Sequence, residues 1–324
     1  MRLLSPIVAR PRFPVTAALC GAALAAAAAC SSRLAEEPGL PGVIDRPIAL
    51  LSASKNDLTT IELYLVSEDG NTTVKVPTFT GPKFEVRWSG DGRRIAIAGN
   101  TSGAMSSEVG TASDVWIVNP DGSGLQQITK DGQSGSLHWL ADGRLIFARA
   151  AAGQPLQWFA VPASGGAPIP ITLRNGQPVY TPDWSRAGSQ MTFSENVTIY
   201  TAAVDGTSER ALVSGFLPRW SPAGDRIAYV GSSGGVPRLL VVPASGQSRP
   251  TPLADLSSLT GPPSGFAWSP DGSRIVWVRP ASGSIRAVVG PANGASTSVP
   301  LVQRAESTVA VDIDVDWRPT PFTR

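Results

Sequence analysis

A single histidine, His138, and two cysteines, Cys20 and Cys30, are all that 324 residues hold of these metal-ligating and nucleophilic side chains. Both cysteines fall within the first 30 residues, so the rest of the chain has no thiol. No disulfide can staple it, and no thiolate can serve there as a nucleophile. A Ser-His-Asp arrangement would have to use His138, and one histidine cannot supply a zinc or manganese cluster unless carboxylates substitute. These shortages predict a protein that is not an enzyme and holds no cofactor.

Charge is also scarce, at 16% of residues, with 27 Lys and Arg against 25 Asp and Glu. Three of the basic residues, Arg2, Arg10 and Arg12, stand at the start, where residues 1–29 contain no acid, which leaves 24 basic against 25 acidic side chains beyond them. A near-neutral chain lacks the clustered cations that neutralise phosphates, which excludes nucleic acid as a partner.

Glycine and proline, by contrast, are plentiful at 33 and 29, more than long helices tolerate, and point to an all-β fold. Residues 1–29 read as a signal peptide: three arginines, then the apolar run Val15 to Ala29. That run has 15 residues, short of the roughly 20 that span a bilayer as a helix. Ala27-Ala28-Ala29-Cys30 resembles the lipobox of bacterial lipoproteins, although Ala27 replaces the usual leucine. The resemblance implies diacylation of Cys30, and two acyl chains anchor stably where one is marginal. Residues 30–46, rich in Ser, Glu, Pro and Gly, then read as the lipidated cysteine and a flexible tether.

Beyond the tether, tryptophans recur at Trp88, Trp139, Trp184, Trp220, Trp268 and Trp317, spaced by 51, 45, 36, 48 and 49 residues. Glycine follows four positions after each of the first five, and Ile95, Ile146, Met191, Ile227 and Ile275 follow seven after. The unit is a strand ending in Trp, a tight turn such as Asp91-Gly92 or Asp271-Gly272, and a second β-rich strand. Further hairpins downstream, such as Ile199 to Val204 before Asp205-Gly206, bring each repeat to four strands. The last repeat stops near Trp317, while Ile48 to Ser52, Ile61 to Val66 and Val74 to Val76 form three strands without a Trp strand before them. Joining the two ends predicts a six-bladed β-propeller over residues 47–319, closed by N-terminal strands completing the last blade, with 320–324 as a tail.

The run Trp-Ser-Pro-Asp-Gly-Ser-Arg-Ile at 268–275, with weaker copies at 88 and 220, resembles the repeat of TolB-type propellers. That resemblance implies the fold far more than a function, because the same repeat occurs in peptidases, lyases and scaffolds. TolB docks on a peptidoglycan-associated lipoprotein, so the resemblance also suggests a protein partner in the cell envelope.

Residues alternate in direction along a strand, so a Trp between blades puts its preceding neighbour in the channel. Those neighbours are Arg87, His138, Asp183, Arg219, Ala267 and Asp316, with Arg87 expected beside Asp316 and Arg219 beside Asp183. The charged members and His138 are the candidate binding residues, against a plainer reading of self-neutralising ion pairs around trapped water. Asp312, Asp314 and Asp316 alternate along the closing strand and form a weak candidate for a hard cation. Carboxylates two residues apart on a strand stand ~7 Å apart, too far to share one ion without other ligands.

The sequence therefore predicts an exported, lipid-anchored monomer acting as an interaction scaffold for an envelope protein. It would face the periplasm from an outer membrane, or the outside of the plasma membrane where there is no outer membrane. The alternatives are a propeller enzyme of carbohydrate or peptide chemistry using Asp183 and Asp316, and a ligand-sensing lipoprotein.

Overall fold

The computed structural model describes residues 45–319, apart from 55–56, 104–112, 151–155, 178, 258–264, 282–283, 296–297 and 302–309. The expected signal peptide, Cys30, most of the tether and the tail at 320–324 lie outside the described residues.

Strands β1 (Ile48–Ser54), β2 (Asp57–Val66) and β3 (Thr73–Val76) open the fold. The next sheet comprises β4 (Lys83–Trp88), β5 (Ile95–Gly99), β6 (Asp114–Val118) and β7 (Gln126–Gln127). It is followed by β8 (Ser134–Trp139), β9 (Arg144–Arg149), β10 (Gln157–Pro162) and β11 (Ile169–Ile171). The third sheet holds β12 (Tyr180–Trp184), β13 (Gln190–Glu195), β14 (Thr198–Ala203) and β15 (Arg210–Ser214). The fourth holds β16 (Phe216–Trp220), β17 (Arg226–Ser233), β18 (Val236–Pro243) and β19 (Thr251–Asp255). Last come β20 (Phe266–Trp268), β21 (Arg274–Ala281), β22 (Ser284–Pro291), β23 (Val299–Pro300) and β24 (Ala310–Trp317). The arrangement is all-β and propeller-like.

The repeat count predicts six blades; four four-stranded sheets stand separately, and the other eight strands form one eight-stranded sheet. The cause of the difference is local. A single parallel pair, Ile285 with Val311, joins β22 to β24. On either side of that pair lie two antiparallel four-stranded sets, β20 to β23 and β24-β1-β2-β3.

In the second set the first strand pairs with the last: Ile48 opposite Trp317, Ala49 opposite Asp316 and Leu50 opposite Val315. The Arg318 amide continues the ladder by donating to Pro47 O at 2.8 Å. All four of Ile48, Ala49, Leu50 and Leu51 are fully buried, because β1 is covered on both faces.

The turn after each Trp strand explains the repeat. At Ser269 the hydroxyl donates to Asp271 Oδ1 at 2.6 Å and accepts the Arg274 amide at 2.9 Å, while Gly272 turns the chain at φ 68°. Glycine reaches that left-handed conformation at little cost. The Asp271 carboxyl falls to about 2, chiefly because the Ser269 hydroxyl and the Ser273 amide bond its charged form. Between neighbouring sheets the Trp and aliphatic side chains form the core; one cluster joins Leu51, Leu63 and Leu65 to Val86, Trp88 and Ile97. Each such side chain, fully buried, contributes about 1.5–3 kcal/mol.

Candidate functional site

Six strands end in the repeat tryptophans, and successive ones are tied side to side. Trp139 Nε1 donates to Arg87 O at 3.1 Å, linking β8 to β4. His138 Nδ1 lies 3.1 Å from Asp183 Oδ1, linking β8 to β12. Asp183 Oδ2 accepts the Trp220 amide at 2.6 Å, and Trp268 Nε1 donates to Arg219 O at 3.1 Å, which carries the links to β16 and β20. Gly265, just before β20, lies against Asp314 of β24 so closely that a Cβ there would meet Oδ1 at 1.9 Å. Asp316 Oδ2 accepts the Trp88 amide at 2.7 Å and returns the series to β4.

Where these strands end, a cavity of about 210 Å³ opens. Arg87, His138, Asp183, Arg219, Ala267 and Asp316 all line it, as do the six tryptophans that follow them.

The aim of three of these side chains depends on a feature that the alternation rule omits. The ladders slip between Gly135 and His138, between Tyr180 and Asp183, and between Phe216 and Arg219. Ser136, Thr181 and Leu217, each three residues before its Trp, take positive φ of 54°, 46° and 54°. An inserted residue bends the strand and re-aims the side chains beyond it. Pro182 and Pro218 carried a signal of this, since proline cannot donate to a ladder and is confined to edges and bulges.

The ion pairs differ from those the sequence predicts. Arg87 Nη1 bonds Asp314 Oδ2 at 2.7 Å and its Nη2 lies 3.0 Å from Glu85 Oε1, so its direct partners are these two, with Asp316 attracting it from farther away. Burial pulls the Arg87 guanidinium down, but Asp314, Glu85 and Asp316 outweigh it and hold the group above its ordinary value. Burial raises the Glu85 carboxyl. Asp183 is engaged by His138 and the Trp220 amide, not by a bond to Arg219. The His138 ring also packs on Trp184, with centroids 4.5 Å apart.

Among the described residues no carboxylate lies within 4 Å of Arg219, and its Nη1 donates to Pro218 O at 3.3 Å. Burial, followed by repulsion from Arg87, lowers its affinity for its proton. Asp316 is shifted the other way: burial pushes its carboxyl up to about 6, against the pull of Arg87 and the Trp88 amide.

The three aspartates proposed for a cation are divided. The pairing of β1 with β24 slips between Leu51 and Ser52, so Leu51 faces Asp314 and Ser52 faces Asp312, and Ile313 is the extra residue on β24 between them. That extra residue reverses the alternation. Asp312 Oδ2 accepts the Ala287 amide of β22 at 2.7 Å, whereas Asp314 Oδ2 accepts the Val86 amide of β4 at 2.9 Å. Among the described residues no three such side chains gather where an ion could sit.

Comparison with solved structures gives the fold. TolB from Acinetobacter baumannii superposes with a TM-score of 0.66 at 17% identity, covering 87% of this chain and 69% of that one. A TolB-type protein from Agrobacterium tumefaciens gives 0.54 at 15%, covering 85% and 99%. The hydrazine synthase of Kuenenia stuttgartiensis gives 0.56 at 15%, covering 86% of this chain and 48% of that one. The chain is similar to TolB-like β-propellers. At these identities the likeness shows the fold alone, and it spans proteins of different function. Neither a family model nor a curated protein sequence matches the chain.

Proposed function

We propose that this protein is a non-enzymatic, six-bladed propeller held through a diacylated Cys30 on the extracytoplasmic side of a membrane, where it binds an envelope protein. The eight-stranded sheet is read as two blades touching at one residue pair. One observation carries the binding role: all six residues preceding the repeat tryptophans line a single cavity. A channel only plugged for stability would be served by apolar side chains, since burying ions costs desolvation. Polar groups converging on a partly apolar hollow are instead the usual form of a binding site.

Support for an envelope role comes from the likeness to TolB structures and from the leader ending in Ala27-Ala28-Ala29-Cys30. The test has two parts. Labelled palmitate should enter the wild-type chain in a bacterial host and be absent from Cys30→Ser. Cross-linking on intact membranes should then recover one reproducible protein partner, and recovery should fall in Arg219→Gln. Recovery of no partner, together with turnover of an oligosaccharide or peptide library, would favour the enzyme reading built on Asp183 and Asp316.

A further inference from the structure

The cavity at the tryptophan ends has an electrostatic asymmetry that narrows what it can hold. Two of its cations, Arg87 and Arg219, come from the layer before the tryptophans. Arg87 is satisfied from behind by Asp314 and Glu85, and neither of those carboxylates lines the cavity. Among the described residues Arg219 has no carboxylate that close, and it lines the cavity itself.

The two lining carboxylates are turned into the wall. Asp183 uses Oδ2 on the Trp220 amide and Oδ1 on His138; Asp316 uses Oδ2 on the Trp88 amide. Neither comes within 4 Å of Arg219, which Asp183, Glu85 and Asp314 attract only from farther away. Trp220, Trp268 and Phe266 give the same cavity an apolar wall. A half-buried guanidinium whose carboxylates all stand beyond 4 Å leaves its donors open to a closer anion. Planar carboxylates match its fork of donors with two parallel bonds.

We infer that this cavity binds a carboxylate carrying a small apolar group, with the carboxylate on Arg219 and the apolar part against Trp220, Trp268 and Phe266. A volume of about 210 Å³ suits one phenyl or short alkyl group with its acid. The same chemistry is offered by a free carboxylic acid and by the C-terminal carboxylate of a partner polypeptide. The inference rests on the reading of this cavity as the binding mouth, and it does not depend on the lipid anchor.

The test uses the purified full-length chain, whose cavity-lining tryptophans report occupancy through their fluorescence, with calorimetry as a second readout. Probes are hydrocinnamate, hydrocinnamyl alcohol, hexylamine, and a short peptide ending in phenylalanine with a free or an amidated C-terminus. Hydrocinnamate or the free-carboxylate peptide should bind, and the alcohol, the amine and the amidated peptide should bind at least about tenfold more weakly. Binding of both acids assigns a free acid as sufficient; binding of the peptide alone assigns a polypeptide terminus. Arg219→Gln should lose about tenfold or more of that affinity, and Arg219→Lys should recover part of it. Because no described carboxylate lies within 4 Å of Arg219, neither variant should melt below wild type, which separates lost binding from lost fold.

Acid and alcohol binding equally, preference for the amine, or undiminished binding by Arg219→Gln would each overturn the inference. So would a wild-type chain that binds none of the probes. Acid binding with no protein partner captured would sink the scaffold role and leave this site standing; capture without acid binding would do the reverse.

Discussion

The Asp183 carboxylate joins three consecutive strands of the inner layer, with Oδ1 3.1 Å from His138 Nδ1 on one side and Oδ2 accepting the Trp220 amide at 2.6 Å on the other. Asp316 repeats half of this relation with Trp88 at 2.7 Å. A side chain chosen for its charge is therefore also a clasp between sheets, and mutation must be read with both roles in view.

Removal of the Asp183 clasp should destabilise the fold. In Asp183→Ala the Trp220 amide is left buried without a partner, which costs about 1–3 kcal/mol. Asp183→Asn keeps an acceptor oxygen and should lose less. Urea unfolding followed by tryptophan fluorescence distinguishes them; a midpoint for Asp183→Ala equal to wild type would refute the clasp.

Gly265 offers a test of the seam between β20 and β24. An alanine Cβ there would stand 1.9 Å from Asp314 Oδ1 and 2.8 Å from the Val315 amide, so strand or carboxylate must move. Such overpacking costs about 1–3 kcal/mol. Gly90 is the control, since nothing lies within 4 Å of a Cβ added there. Thermal melts should show Gly265→Ala lowered and Gly90→Ala close to wild type.

Much of this was legible in the sequence because the repeat is enforced by local chemistry. Trp, Ser, Asp and Gly at fixed offsets make a turn whose hydrogen bonds are all short-range, so Asp271-Gly272 announces itself. The pairing of Ile48–Ser54 with the strand of Trp317 was legible for a different reason: an incomplete repeat at each end. The ion-pair pattern was not, because it depends on slips in register. A bulge at Ser136, Thr181 or Leu217 shifts a side chain by one position, and strict alternation cannot anticipate it. Ile313 has the same effect on Asp312. Nor does composition reveal Lys83, whose ammonium is buried between Ile61 O at 2.7 Å and Gly81 O at 3.1 Å and pulled down to about 8 by burial.

The first strand should prove as necessary as the last. Leu50 is fully buried opposite Val315, between the N- and C-terminal strands of one sheet. Leu50→Ala should cost about 2–5 kcal/mol, as truncations of tightly packed leucines do. Because all the sheets share interfaces, the loss should appear as a lower midpoint of the main transition. A separate early transition confined to the termini would show that the terminal strands are not part of the cooperative unit.

Asp316 should make stability fall as pH rises through the weakly acidic range. Burial raises its carboxyl from 3.8 to about 6, so between those values the folded state binds a proton that the unfolded chain releases. The contribution is complete below 3.8 and is lost as pH climbs through about 6, the reverse of a carboxylate stabilised by a salt bridge. Facing Asp316 are Arg87 and the Trp88 amide from β4 and Asp314 from its own strand, with His138, Asp183, Arg186 and Arg219 across the cavity. Glu85, also raised by burial, shifts stability in the same direction, and Asp271, lowered to about 2, adds a loss only at far more acidic pH. Asp316→Asn keeps an oxygen for the Trp88 amide and removes the titration. Thermal midpoints across this range should fall with pH more steeply in wild type than in the variant. Parallel profiles would show that the Asp316 carboxyl is already ionised throughout, held so by Arg87.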